Sequence, residues 1–231
     1  MHKHIIITGA SRGIGLETAK YLTDKNCLIT IIARSADKLN NLKEYNPDKL
    51  IPLELDITNK NAPEVIQNHL DRHQFRIDGL IHNAGLLINK PFEDLSDEDW
   101  GRQMNVNLLG PVRLTRELLP HFNENAHILN IGTMGGFQGS SKFPGLSAYS
   151  VSKGALTVLT ECLAVELADR NISVNCLCLG AVQTEMLEQA FPGLQAPVNP
   201  VEMGGFVGNF LLHSHKFFNG KILPISLHDP S

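Results

Sequence analysis

Seven short, almost uninterrupted apolar runs, separated by longer stretches of helical pattern, constrain this chain more than any other feature. They are His4–Thr8 (HIIIT), Leu28–Ala33 (LITIIA), Leu50–Leu55 (LIPLEL), Ile77–Asn83 (IDGLIHN), His127–Ile131 (HILNI), Ser173–Leu179 (SVNCLCL) and Lys221–Ile225 (KILPI). A strand with one wet face alternates apolar and polar residues, whereas a run that does not alternate is covered on both faces. The pattern therefore predicts an α/β chain with a doubly wound parallel sheet and ligands at the carboxyl ends of its strands. Its 231 residues suit one domain spanning 1–231.

Helix starts are written between the runs. Asn61 with Glu64, and Pro63 in the first turn, reads as a capping box. Ser96 ahead of Asp97, Glu98 and Asp99 places acids where a helix N-terminus favours them. The stretch Ser147–Asp169 is apolar on nearly two faces, with Leu156, Val158, Leu159, Cys162, Leu163, Val165 and Leu167, and leaves a polar stripe near Thr157, Thr160 and Glu161. A helix on an open sheet needs one apolar face. The second predicts a homodimer or homotetramer packed through this helix.

Composition excludes several function classes. A net charge of −4 gives no electrostatic case for nucleic acid or an anionic membrane as partner. The opening MHKHIIITGA is too short an apolar run for a signal peptide, and no run reaches membrane-spanning length. With four cysteines in no disulfide framework, the expectation is a soluble cytoplasmic protein. Cys176 and Cys178 face one side of a strand as buried thiols, and the pairs His69/His73 and His213/His215 read as solvated histidines without a third metal ligand. No metal site is expected.

The segment ITGASRGIG follows the first strand and opens the first helix. Gly9, Gly13 and Gly15 form GxxxGxG, which allows a tight turn and close approach of backbone N–H groups to a diphosphate at a helix N-terminus. At the end of the second strand an NAD binder usually carries an acid for the ribose 2′-hydroxyl. Here Ala33 and Arg34 stand instead, and Arg34 with Arg12 would form a cationic fork for a 2′-phosphate. This favours NADP(H) over NAD(H).

Tyr149 and Lys153 lie four residues apart, and so on one helical face. With TGASRGIG, LDI (Leu55–Ile57), HNAG (His82–Gly85), NVN ending at Asn107, NIGTMGG (Asn130–Gly136) and LGAVQTEM (Leu179–Met186), they make seven ordered motifs. The chain thereby resembles the short-chain dehydrogenase/reductase family in its simple form, from about His4 to Gly220. That resemblance implies a Rossmann-like sheet of seven parallel strands and an oxidoreductase that moves a hydride between nicotinamide and a small carbonyl or alcohol. Cofactor contacts are implied for Gly9, Ser11, Arg12, Gly13, Ile14, Gly15, Arg34, Asp56 (to the adenine amino group), Ile57, Asn83, Ala84, Gly85, Tyr149, Lys153, Val182 and Thr184 (the last two to the carboxamide). Tyr149 would be the general acid/base, with Lys153 on the nicotinamide ribose and lowering the phenol pKa. Thr133 would polarise the carbonyl, and Asn107 would break its helix and join a proton relay. Bringing a phenol from ~10 to ~7 needs about 4 kcal/mol, of which an ammonium at ~5 Å supplies about 3. Thr133 stands where the family has a serine, His82 where it has asparagine, Leu179 where it has proline, and the PISLHDPS ending differs from the family's Asp-Gly-Gly tail. The alternative these departures raise is a catalytically weak NADP-binding sensor or structural protein.

Overall fold

The computed structural model describes residues 2–227, so the last four residues of the tail lie outside the described residues. Seven strands form one parallel sheet in the order β3-β2-β1-β4-β5-β6-β7. They are β1 (His4–Thr8), β2 (Leu28–Ala33), β3 (Leu50–Glu54), β4 (Ile77–His82), β5 (Phe122–Thr133), β6 (Ser173–Leu179) and β7 (Ile222–Ile225). The helices are α1 (Gly13–Asp24), α2 (Ala36–Lys43), α3 (Ala62–His73), α4 (Asp97–Met104), α5 (Gly110–Leu118), α6 (Ser147–Glu166), α7 (Glu185–Ala190) and α8 (Pro200–His213).

One face of the sheet packs Ile5, Ile7, Ile29 and Ile31 against Leu22 of α1, Leu39 of α2 and Val207 of α8. The other packs Ile6, Leu80 and Ile128 against Ile66 of α3, Leu114 of α5 and Ala164 of α6. Odd and even positions of each strand thus both enter a core, which is why the runs do not alternate. The order reverses beside β1, whose neighbours are β2 and β4, and this switch opens a crevice at the carboxyl ends.

Several local expectations are corrected. Asn61 makes no side-chain cap, because its backbone (φ −89°, ψ 1°) lacks the extended conformation a capping residue needs. The capping boxes are Ser96 with Asp99 and Asn199 with Glu202. β5 starts five residues early, at Phe122, which pairs with Ile77 across a register shift. Helix α6 ends at Glu166, short of Asp169. Its expected polar stripe is split: Thr157 and Thr160 are buried, their hydroxyls donating to Gly154 O and Leu156 O at 2.6 and 2.8 Å, while Glu161 is exposed. Outward instead point Val151, Val158 and Val165, 52%, 58% and 78% exposed and each two turns from the next. His69 is not solvated: its Nε2 lies 3.2 Å from the buried Thr30 hydroxyl, which is 2.8 Å from His4 Nε2. Cys176 and Cys178 are buried on one side of β6 beside Met134. Among the described residues no helix is long and apolar enough to cross a membrane.

Candidate active site

A cavity of about 880 Å³ occupies the crevice. Its floor is the turn from β1 into α1. Gly9 and Gly13 take φ of +70° and +56°, which side chains rarely adopt. A Cβ on Gly9 would sit 2.7 Å from Ala84 Cα, and one on Gly15 would sit 2.3 Å from Asn83 Nδ2. Asn83 braces the turn from β4, donating to Thr8 O and Gly9 O at 3.0 Å each. Helix α1 has neither a side-chain cap nor an acid in its first turn, so its N–H groups and dipole face the cavity uncompensated. This cradle, cleared by glycine and ended by a bare helix N-terminus, fits the diphosphate of a dinucleotide.

Of the expected cofactor residues, Gly9, Ser11, Arg12, Gly13, Ile14, Arg34, Asp56, Ile57, Asn83, Ala84, Gly85, Tyr149, Lys153 and Thr184 line the cavity. Gly15 lies behind the turn against Asn83, and Val182 is buried in a bridge to Val198, so neither forms its wall. Asp56 Oδ1 accepts from Thr58 N and Oγ1 at 2.8 and 2.7 Å, which fixes the carboxylate after β3. Arg12 does not fork with Arg34. It donates to Glu185 at 2.8 Å, and Lys38 stands 3.9 Å from the same carboxylate. These two cations hold Glu185 below the usual carboxylate range. Arg34 makes no side-chain bond among the described residues. Lys38 and Glu185 went unread in the sequence. Lys38 carried a local signal, one turn into a helix capped by Ser35, but Glu185 arrives from 173 residues beyond Arg12.

Tyr149 and Lys153 are brought together at the inner wall by the first two turns of α6. Lys153 is 3% exposed and its ammonium donates to Ile131 O at 2.7 Å. Burial brings it down to about 8, against the opposing influence of the Cys176 and Cys178 thiols. Tyr149 sits deep in the fold with part of its ring open to the cavity, and its hydroxyl has no hydrogen bond among the described residues. The surrounding protein pushes the phenol up to about 12. The expected lowering by Lys153 is therefore reversed: burial dominates, and the ammonium is turned to a carbonyl instead of the phenol.

Asn107 lies within a π-helical turn, Asn105–Leu109, the predicted irregularity between α4 and α5. Fully buried behind the cavity, it donates to Leu86 O and Ser152 Oγ at 2.9 Å each and accepts from Leu86 N at 2.8 Å. Thr133 ends β5 just outside the wall, half-buried, with a hydroxyl free of hydrogen bonds among the described residues. His82, at the end of β4, is buried with Nε2 2.9 Å from Thr115 Oγ1.

Sheet order, glycine cradle and tyrosine–lysine wall together define a dinucleotide-binding α/β oxidoreductase. The short-chain dehydrogenase model matches residues 3–195, and the chain belongs to the short-chain dehydrogenase/reductase family. It is 32% identical to a fatty acyl-CoA reductase of Acinetobacter baylyi over 80% of this chain, spanning only 64% of that protein's length. It is 31% identical to the 3-oxoacyl-(acyl-carrier-protein) reductase FabG of Thermotoga maritima, over 81% of this chain and 77% of the other. The structure of 3-ketoacyl-(acyl-carrier-protein) reductase from Brucella melitensis, complexed with NADH, superposes with a TM-score of 0.87 at 25% identity, covering 96% of both chains.

Proposed function

We propose that this protein is an NADP(H)-dependent reductase of small carbonyl substrates, in which Tyr149 moves the proton. The observation that carries the reading is the unpartnered Tyr149 hydroxyl on the wall of the glycine-cradled cavity, beside a lysine anchored on Ile131. The nicotinamide dinucleotide, when bound, supplies or takes the hydride. Gly9, Gly13 and the bare end of α1 hold its diphosphate, Asp56 and Ile57 its adenine side, and Lys153 its nicotinamide ribose. Asn83, Ala84 and Gly85 form the wall beside its adenosine ribose, and Thr184 lies on the carboxamide side, with Val182 buried two residues before it. Tyr149, a neutral phenol, donates its proton to the substrate oxygen as alkoxide character develops there, because an alkoxide is a much stronger base than a phenolate. Asn107 holds the Leu86 backbone and Ser152 in place behind Lys153, where the lysine exchanges protons with solvent. Acyl-chain carbonyls are the favoured substrates: two relatives are named as reductases of a fatty acyl-CoA and of a 3-oxoacyl-(acyl-carrier-protein), and Leu86 and Met186 give the cavity apolar wall. The valine row on α6 supports assembly into a homodimer or homotetramer. The direct test is loss of NADPH absorbance with ketones, quinones and acyl thioesters; binding without turnover on the whole panel overturns it.

Substitutions at two positions examine its parts. Arg34→Ala weakens NADPH by about 2 kcal/mol, or ~30-fold, and NADH little, since only NADPH presents a 2′-phosphate to a charge-assisted contact. Titration by cofactor fluorescence checks this, and equal affinities in the unmutated protein refute the NADP assignment. Thr133→Val keeps the shape but removes the hydroxyl, and costs ~3 kcal/mol of barrier, about 10²-fold, as for a lost oxyanion donor. Thr133→Ser stays within about tenfold of the parent, since it keeps the donor. An active valine variant would assign Thr133 to packing.

A further inference from the structure

Two buried polar atoms at the carboxyl end of the sheet have no hydrogen-bond partner among the described residues: His82 Nδ1 and Asn130 Oδ1. The residues are 2% and 1% exposed and are register partners on β4 and β5. Paired residues of adjacent parallel strands stand about 4.8 Å apart and project to the same face. Here that face lies under α5 and α6: His82 Nε2 is 2.9 Å from Thr115 Oγ1 and Asn130 Nδ2 donates to Thr160 Oγ1 at 2.8 Å.

Proton accounting fixes what is needed between them. The Thr160 hydroxyl spends its proton on Leu156 O at 2.8 Å, so it offers Asn130 only lone pairs. That sets the amide with Nδ2 toward Thr160 and Oδ1 away, in need of a donor. His82 Nδ1 is a donor if Thr115 gives its proton to Nε2, and an acceptor if Nε2 gives one to Thr115. A water molecule satisfies both cases, either accepting from Nδ1–H and donating to Oδ1 or donating to both. Internal waters settle at such clusters of otherwise unpaired polar groups. A cation is not suited: the Lys153 ammonium is near enough to help burial bring His82 down to about 3.

We infer that His82 and Asn130 hold one internal water between β4 and β5, and that this bridge positions the Ile131 carbonyl on which Lys153 is anchored. Ile131 follows Asn130 directly, and its carbonyl is the hydrogen-bond acceptor for Lys153, at 2.7 Å. The water site stands on the fold alone; its bearing on turnover rests on the function proposed above.

A crystal structure of the full chain, fine enough to resolve waters, is expected to show one ordered water within about 3 Å of both atoms. A dry gap, or a direct His82–Asn130 bond, overturns the site. In Asn130→Leu the water is lost and the Lys153 to Ile131 contact lengthens; an unchanged contact overturns the positioning role. Turnover in His82→Leu falls about five- to tenfold, the size of one lost hydrogen bond, with a smaller fall in cofactor affinity, since Lys153 also serves the nicotinamide ribose. His82→Gln, which keeps a polar atom facing Asn130, recovers most of it; a glutamine no better than leucine counts against the bridge. If the unmutated protein reduces nothing, the functional reading fails, while the water peak and the lysine contact still decide this one.

Discussion

Tyr149→Phe lowers turnover by ~10²–10⁴-fold, the range for loss of a positioned general acid–base, and leaves NADPH binding within about twofold. The substitution removes one oxygen from a ring held in place by α6. Because that hydroxyl has no hydrogen bond among the described residues, its removal orphans no buried partner, and the melting temperature stays close to the parent's. This separates the tyrosine from Lys153. Lys153→Met strips the Ile131 carbonyl of its donor, so it lowers turnover, cofactor affinity and stability together. Near-normal turnover in the phenylalanine variant, measured as NADPH oxidation, would remove Tyr149 from the chemistry. With its phenol held up at about 12, Tyr149 keeps its proton through the neutral range and is poised to act as the acid.

How much of this was legible in the sequence follows from how local each feature is. The glycine turn was readable because strand, turn and helix are contiguous, and the close approaches that demand glycine arise from that turn folding back on β4. Tyr149 and Lys153 were readable because helical geometry alone puts them on one face. The direction of the phenol's shift was not, since it depends on protein mass contributed by the whole fold. Glu185 is absent from the sequence reading for the same reason: nothing near Arg12 announces a carboxylate that α7 delivers across the crevice. The histidine pair on α3 misled because spacing reports a helical face and not what covers it. His69 is covered by β1 and β2, through Thr30 and His4, at separations of 39 residues and more. On α6 the threonines looked polar and proved inward, because each hydroxyl bonds a carbonyl of its own helix and so can be buried, leaving the valines outside.

Those buried imidazoles set the pH response of the fold. Burial lowers His4, His69 and His127 to about 4 and His82 to about 3, against about 6.5 in an unfolded chain. Each is held neutral in the fold: His4 Nδ1 lies 3.2 Å from Arg76 O and His127 Nδ1 lies 2.9 Å from Leu211 O, while Asn175 Nδ2 donates to His127 Nε2 at 3.0 Å. Because the folded values lie below the unfolded one, their contribution is fully present above pH 6.5 and is lost as pH falls from 6.5 toward 4. Near pH 5 the unfolded chain binds between three and four more protons at these sites, which gives a slope of about 5 kcal/mol per pH unit. A domain of ordinary stability, about 5–15 kcal/mol, does not survive much of that window. The carboxylates of Asp99 and Glu185, held low by their lysine and arginine neighbours, lose their contribution only at lower pH, so the histidines act first. Urea unfolding at pH 7.5, 6.0 and 5.5 is therefore expected to show steeply falling stability below pH 6.5. His127→Gln reduces the slope by about one proton, or ~1.4 kcal/mol per pH unit, at some cost in stability at pH 7.5. Stability that stays level from pH 7.5 to 5 would mean that these rings are protonated or exposed in the folded protein, and the polar networks built on their neutral forms would fall with it.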